Sequence, residues 1–434
     1  MVIKDIKLVV IGGASSYTPE LIEGLIQLRD RIDLRELTLM DTRFDRLQVV
    51  GGMVLRMFDH ANYPVEVTLS SNRQEALESA DFVITQIRVG GMSARLLDET
   101  IPPRYGVIGQ ETVGPGGFAN ALRTIPVMLD IAKDIEAICP EAWLINFTNP
   151  SGMVTEAILK YTNLKTIGLC NIPTHLKHTI AEQQHVSPDA VVVDYFGINH
   201  LSWVRDVTID GQSQMDQVRE RYIDFITADD NPLFSRELIE TLGMIPSYYL
   251  SFYYNHSRML AEQIQGPQTR AERVMEIEED LFHLYGDERV VEKPDLLGER
   301  GGRYYSVAAI KLIAAICNDT NERHILNVRN QNTFTCLPPE TVVEVPCMVN
   351  AMGAQPLPIE PIPLQAFGLM TAVKTSEQLT IKAAVSGDQQ LALQALMNHP
   401  LVPSFEVAQS LLAVLLAENS DYLPQFELDT VLQL

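Results

Sequence analysis

The first forty-odd residues restrict the fold most. Asp5-Ile-Lys-Leu-Val-Val-Ile11 is a short apolar run, long enough for one buried strand. It meets Gly12-Gly13-Ala14-Ser15-Ser16-Tyr17-Thr18-Pro19, after which Leu21 to Leu28 has helical spacing. Pro19 suits a first helical turn, where its missing N–H costs nothing. Strand, glycine turn and helix N-terminus make a cradle of backbone N–H groups for a pyrophosphate. The turn is not a strict GxGxxG, and an ordinary βα turn uses the same residues. Leu37-Thr-Leu-Met40 then delivers Asp41, 28 positions after Gly13. The usual spacing is roughly 20, and the polar stretch Arg29–Asp33 supplies the excess as a longer helix and loop. Asp41 would accept ribose hydroxyls and repel the extra phosphate of NADP, so NAD is the expected dinucleotide. Arg43 is the neighbour that can instead pair with such a phosphate.

The strand–helix rhythm repeats. Strands are expected over 65–69, 81–87, 142–147 and the run before Cys170, giving roughly six parallel strands joined by right-handed crossovers. The fold class is therefore α/β, a Rossmann-like doubly wound sheet over residues 1–170. A mixed α+β domain is expected over 171–434, the layout of lactate and malate dehydrogenases. After Val191 an antiparallel pair with an Asp-Gly turn is expected, then helices over 214–228, 235–241, 248–263 and 269–284. Strands follow near 324–330 and 341–349, then helices over 383–397 and 405–418. Residues 98–118 are polar and glycine-rich, and read as a long loop lining the cleft.

Composition excludes some functions. The formal charge of −23, from 56 acids and 33 bases, argues against a nucleic-acid groove or an anionic membrane surface. There is no 18-residue apolar run, and the N-terminal residues carry no cleavable signal pattern. Five cysteines without paired spacing fit a reducing cytoplasm.

Three strand ends carry candidate chemistry. Lys165-Thr-Ile-Gly-Leu delivers Cys170 and Asn171 before Pro173 stops the strand; Tyr195-Phe-Gly-Ile delivers Asn199 and His200; Thr148-Asn149-Pro150 ends a third. Singly, a cysteine is more often a small buried hydrophobe and a histidine a structural donor. Together, Cys170 and His200 make a two-ligand metal site too sparse to be structural. Substrate oxygens and water would complete the shell, as in Lewis-acid catalysis. His175 and His178, three apart on one helix, are an alternative pair. Arg88 and Arg95 flank Gly90-Gly91 beyond a strand end, where open sheets bind ligands. The cluster Tyr248-Tyr249-Leu-Ser-Phe-Tyr253-Tyr254 is core packing or holds a general base with a lowered pKa, and Glu111 and Asp98 are the nearby carboxylates.

The combination of the 12–16 turn, Arg88-Val-Gly-Gly, Tyr105-Gly-Val-Ile-Gly-Gln-Glu-Thr112, Asn149-Pro150, Cys170-Asn171-Ile-Pro173, Asn199-His200 and Gly-Gly-Arg-Tyr-Tyr-Ser306 resembles glycoside hydrolase family 4 along nearly the whole chain. It is most similar to that family's 6-phospho-β-glucosidases, the NAD-dependent exception to two-carboxylate glycoside hydrolysis. The resemblance implies Cys170 and His200 as manganese ligands and Asn149 and Arg95 as substrate contacts. It implies Tyr249 as the base for the C2 proton, Tyr253 as the fallback, and Glu111 as the carboxylate that makes the tyrosine more basic. Gly13, Ser15 and Asp41 would hold the dinucleotide. The implied reaction oxidises C3, removes the C2 proton, expels the C1 substituent, adds water and returns the hydride, so NAD is regenerated each turnover. Asn171 replaces the acid or histidine found in 6-phospho-α-glucosidases and α-galactosidase-like members. Arg303, where an uncharged residue is usual, is an extra phosphate contact or a surface change. Competing readings are a 6-phospho-α-glucosidase or α-galactosidase-like member of the same family, a 2-hydroxy acid dehydrogenase and a non-catalytic NAD sensor. The final apolar helices suit a homodimer or homotetramer.

Overall fold

The computed structural model describes residues 3–301, 305–359 and 361–427, so Arg303 lies outside the described residues. Its first six strands are β1 (Ile6–Ile11), β2 (Leu34–Met40), β3 (Glu66–Ser70), β4 (Phe82–Thr85), β5 (Trp143–Asn146) and β6 (Lys165–Gly168). Every residue of β1 is buried. Ile6, Leu8 and Val10 enter one core, whereas Val9 and Ile11 enter the other, so both faces of the sheet are covered. Lys7 is tolerated inside this run because its ammonium meets Glu36 at 2.9 Å.

The strands lie in the order β3-β2-β1-β4-β5-β6, all parallel. The chain reverses direction across the sheet between β1 and β4, and the crevice beyond their carboxyl ends is where such sheets bind ligands. A hairpin of β7 (Val191–Ile198) and β8 (Leu201–Ile209) follows, with short β9 (Gln212–Ser213) and β10 (Ile245–Pro246) paired to β8. The expected Asp-Gly turn is Asp210-Gly211, between β8 and β9; Asn199-His200 makes the tighter β7–β8 turn, with His200 at φ 63°. Strands β11 (Glu322–Arg329), β12 (Val342–Asn350) and β13 (Gly353–Pro356) add to the edge of β6 in antiparallel fashion. One nine-stranded sheet thus contains strands from both sides of residue 170.

Residues 98–118 are not a long loop. A helix spans Gly91–Thr100, a 3₁₀ turn spans Pro102–Tyr105, and a 25-residue helix starts at Gly114. The glycines serve close approach rather than flexibility: a Cβ at Gly116 would sit 2.3 Å from the carbonyl oxygen of Gln110. Residues 110–112 are thereby pressed against the start of that helix. Asp98 is likewise no cleft carboxylate. It is fully buried on the Gly91–Thr100 helix and accepts from Arg123 Nη1 at 2.8 Å and Nη2 at 2.5 Å. Arg123 also donates to the carbonyl of Val89 (3.1 Å) and to Asn419 Oδ1 (3.1 Å). Segment 419–427 is thus tied to the Arg88–Gly91 loop, and the ring of Tyr422 lies against Gly90. Arg123→Leu should cost about 3–5 kcal/mol in urea unfolding, because it leaves a buried carboxylate without its cation. A loss below ~1 kcal/mol would mean that water reaches Asp98.

Two expected helices are broken. The 248–263 stretch divides into a 3₁₀ turn (Tyr248–Leu250), one turn of helix (Ser251–Tyr254) and the helix His256–Gln265. The interruption is at Asn255, whose side chain donates to the carbonyl of Leu233 at 2.7 Å. The 383–397 stretch is two helices, Leu364–Ser386 and Gln389–Asn398, the second capped by Asp388. Among the described residues no helix is long and apolar enough to cross a membrane.

Candidate active site

The glycine turn closes as its residues require. Gly12 sits at φ 94°, and a Cβ there would lie 2.8 Å from the carbonyl oxygen of Gln86. Gly12 and Gly13 both donate their N–H to the carbonyl of Met40 at 2.9 Å, which draws β2 and Asp41 to the turn. The Asp41 carboxylate accepts from the N–H groups of Ala14 (3.1 Å) and Arg43 (3.0 Å). A cleft of about 1520 Å³ begins here, lined at this end by Gly12, Ser15, Asp41 and Arg43. Gly13 and Ala14 form the turn beneath it. Ser16 does not face the cleft: it is buried and donates to Glu278 Oε1 at 2.7 Å. Burial pushes the Glu278 carboxyl up, but Arg300, Ser16 and Arg46 outweigh it and hold the group at about 2. Glu278 and Arg300 come from the second half of the chain, and no local pattern marked them.

The same cleft continues past Arg88, Arg95, Glu111, Asn149, Asn171 and Tyr249. Arg95, on the Gly91–Thr100 helix, donates to Glu99 (2.8 Å) and lies 3.2 Å from Glu111, which also pairs with Arg88. Burial raises the Glu111 carboxyl, yet the two guanidiniums bring it down to about 2, so it stays ionised. Asn149, preceding a cis proline, accepts from the N–H of Ser151 at 3.3 Å. Asn171 begins the helix Ile172–Gln184 without capping it.

Cys170 is 3% exposed and lies at the start of the helix Ile172–Gln184, beside the side chain of Asn199. Burial, with Glu344 adding to it, pushes the thiol well above its ordinary pKa. A bound cation is what would turn this buried thiol into a thiolate. His200 is buried, with Nδ1 2.8 Å from the hydroxyl of Thr112. That hydroxyl donates to Gln110 Oε1 at 2.8 Å, an oxygen that also accepts the N–H of Thr112 at 2.6 Å. The imidazole therefore donates from Nδ1 and keeps a lone pair on Nε2. Burial lowers its pKa to about 3, so it is neutral at physiological pH. A neutral imidazole oriented through its other nitrogen fits a metal ligand. Among the described residues no group of three His, Cys, Asp or Glu side chains could hold a metal, so a cation here takes only two protein ligands. His175 and His178 do not line the cleft. The His178 ring is held below its usual range by burial and then by Lys311 and Lys177, neighbours that would repel a cation.

The tyrosines separate. The ring of Tyr249 stacks on His200, centroids 3.8 Å apart and planes at 12°. Tyr253 instead faces His399 and Glu377 in a cavity of about 30 Å³ behind His200. The expectation of a lowered pKa is not met: burial, then the negative fields of Cys170 and Glu111, push the Tyr249 phenol well above its usual value. The Thr112 hydroxyl opposes that shift, and a positive charge at the Cys170–His200 corner would oppose it further.

Two histidines outside the corner, the half-buried His324 and the buried His399, are lowered to about 4 by desolvation. A depressed histidine leaves the folded protein neutral while the unfolded chain binds protons. Stability is therefore full above about 6.5 and falls as the pH drops toward 4, by about 1.4 kcal/mol per pH unit for each histidine. Melting temperature measured across that window should fall with pH, and His399→Gln should flatten the slope; an unchanged slope would exclude His399.

A Rossmann-type cleft that runs from a nucleotide turn to Asn149, Asn171 and Tyr249, the last stacked on His200, defines a dinucleotide-dependent enzyme with dehydrogenase-like architecture. The chain belongs to glycosyl hydrolase family 4: the "Family 4 glycosyl hydrolase" profile matches residues 7–195 and its C-terminal domain profile matches 195–402. It is 44% identical to the probable 6-phospho-beta-glucosidase of Bacillus subtilis and 40% identical to the 6-phospho-beta-glucosidase of Escherichia coli, each over 98% of this chain and 97–98% of the relative. The Thermotoga maritima 6-phospho-beta glucosidase, solved with NAD and glucose-6-phosphate, superposes with a TM-score of 0.90 at 36% identity, covering 96% of this chain and 99% of that one. A malate dehydrogenase from Plasmodium falciparum shares the fold at a TM-score of 0.56 and 15% identity.

Proposed function

We propose that the chain is a 6-phospho-β-glucosidase, converting 6-phospho-β-D-glucosides to glucose 6-phosphate and the aglycone with NAD and a divalent cation such as manganese. The observation that carries this reading is one cleft lined by the nucleotide turn, Asn149, Asn171 and Tyr249, with Tyr249 stacked on His200, which lies behind the cleft wall. Three relatives at 36–44% identity carry this activity in their names, and the Thermotoga maritima enzyme was also solved with manganese, NAD+ and glucose-6-phosphate.

Bound here, NAD would supply a renewable hydride acceptor, and the cation a Lewis acid for oxygens on the sugar. Gly12, Ser15, Asp41 and Arg43 face the nucleotide, and Cys170 Sγ and His200 Nε2 hold the cation. Tyr249 takes the proton from C2. Glu111, kept ionised by Arg88 and Arg95, sets a negative field beside that phenol and makes its anion more basic. Asn149 and Asn171 offer amides to the sugar hydroxyls. An amide at 171 cannot protonate a leaving group, which favours the β-linked substrate. Phospho-α-glucosidase relatives, such as that of Clostridium acetobutylicum, stand at 30% identity.

The reading also includes a nucleotide-binding part over 1–170 and a substrate part over 171–434, assembly as a homodimer or homotetramer, and a cytoplasmic location that suits five free cysteines. The test is an assay on aryl 6-phospho-β-glucosides with NAD and manganese under thiol. Turnover should require both, and deuterium at C2 should wash out into solvent. Turnover in protein stripped of both, or full retention of the label, would overturn the reading.

A further inference from the structure

A carboxylate with no part in the proposed chemistry sits directly behind the Cys170–His200 corner. Glu344 interrupts the apolar run of β12, is 1% exposed, and has no ion-pair partner among the described residues. It is held by hydrogen bonds alone. Oε1 accepts from Asn199 Nδ2 and from Asn327 Nδ2, both at 3.0 Å, and Oε2 accepts from the hydroxyl of Tyr195 at 2.5 Å. A buried carboxylate satisfied by three neutral donors is costly to keep, so its partners show what it orders.

Asn199 is the informative partner. Its Oδ1 accepts the N–H of Gly152 at 3.2 Å, its Nδ2 donates to Glu344 at 3.0 Å, and the side chain lies beside Cys170. An amide can be built either way round, but a carboxylate oxygen on one side and a backbone N–H on the other permit one orientation. That orientation turns the NH₂ toward Glu344. Reversed, the amide would press an oxygen lone pair against the Glu344 carboxylate. Asn199 is also the first residue of the two-residue β7–β8 turn, and His200 is the second. Fixing Asn199 therefore fixes the base from which the imidazole projects. Thr112 holds the ring itself.

We infer that Glu344 is a positioning residue of the metal corner: it fixes the Asn199 amide beside Cys170 and anchors the turn that presents His200. The inference rests on reading Cys170 and His200 as cation ligands. Glu344→Gln keeps size and shape but offers one oxygen where two served three donors, and it can turn an NH₂ toward Asn199. Outer hydrogen bonds of this kind are worth about 10–100-fold in metal affinity.

The test is Mn²⁺ binding to full-length, metal-depleted protein, followed by the electron paramagnetic resonance of free Mn²⁺. The sulfur-to-metal absorption of the Co²⁺-loaded protein is recorded alongside. Glu344→Gln should raise the Mn²⁺ dissociation constant about 10–100-fold and shift the cobalt band, with NAD affinity unchanged. Asn199→Ala should give the same loss and serves if the Gln variant does not fold. The double variant should lose no more than the worse single one, because both act through one amide. Cys170→Ser tests the corner itself. If the wild type binds Mn²⁺ and Cys170→Ser does not, yet Glu344→Gln binds like wild type, the inference alone is overturned. If Cys170→Ser binds as tightly as wild type, the corner is not the cation site and the inference falls with it. Additive losses in the double variant would place Glu344 outside the pathway through Asn199 and would also overturn it.

Discussion

Tyr249→Phe should lower turnover of a 6-phospho-β-glucoside by about 10²–10⁴-fold, the range expected when a positioned general base is removed. The substitution deletes one oxygen. It keeps the ring that stacks on His200 at 3.8 Å, so Mn²⁺ and NAD affinities should stay near wild type. The loss should appear in kcat, and exchange of deuterium at C2 should slow in parallel. Tyr253→Phe is the control. That phenol faces His399 and Glu377 in a separate cavity, so the change should leave C2 exchange close to the wild-type rate. If Tyr249→Phe exchanged C2 at the wild-type rate, another group would have to be the base.

Cys170→Ser should be nearly as damaging for a different reason. On the proposed reading the corner has two protein ligands, and replacing the sulfur would leave His200 to hold the cation with substrate oxygens alone. A hydroxyl is a poor substitute for a thiolate and offers no soft donor. Activity should fall by at least about 10³-fold at micromolar Mn²⁺, consistent with losing several kcal/mol of charge stabilisation. Millimolar Mn²⁺ should restore part of it. NAD binding should persist, because Gly12, Ser15 and Asp41 form the far end of the cleft. Activity of the serine variant at micromolar Mn²⁺ equal to wild type would exclude Cys170 as a ligand.

Much of this site could be read from the chain because it is made of strand ends. Asp41, Asn149 and Cys170 each follow an apolar run of the parallel sheet, which brings such ends to one edge. His200 follows an apolar run of the antiparallel β7–β8 hairpin. Hydrophobic spacing therefore places them without knowledge of partners. Partners are what spacing does not carry. Asp98 looked available because its neighbours in sequence are polar, yet it belongs to Arg123 on another helix. Residues 98–118 looked like a loop because glycine both loosens a backbone and lets two backbones touch, and only the fold distinguishes the two uses. Tyr249 lies where a base was expected, but its electrostatics depend on Cys170 and Glu111, which arrive from distant strands and loops. Glu344 did leave a local sign, a lone acid among valines in a buried strand. What it orders was not in that sign.

The tie between Arg123 and Asn419 bears on how the enzyme is made. The two residues are 296 positions apart, and the same guanidinium holds the carbonyl of Val89 in the Arg88–Gly91 loop. On the ribosome, the six parallel strands can pair and Arg123 can find Asp98 long before Asn419 has been synthesised. Until then one N–H of Arg123 has no protein acceptor, and the loop carrying Arg88 lacks the Tyr422 ring that lies against Gly90. The nascent chain therefore builds its sheet early and its cleft rim last. A protein cut before residue 419 would keep its strands and lose the rim that aligns Arg88 with Glu111.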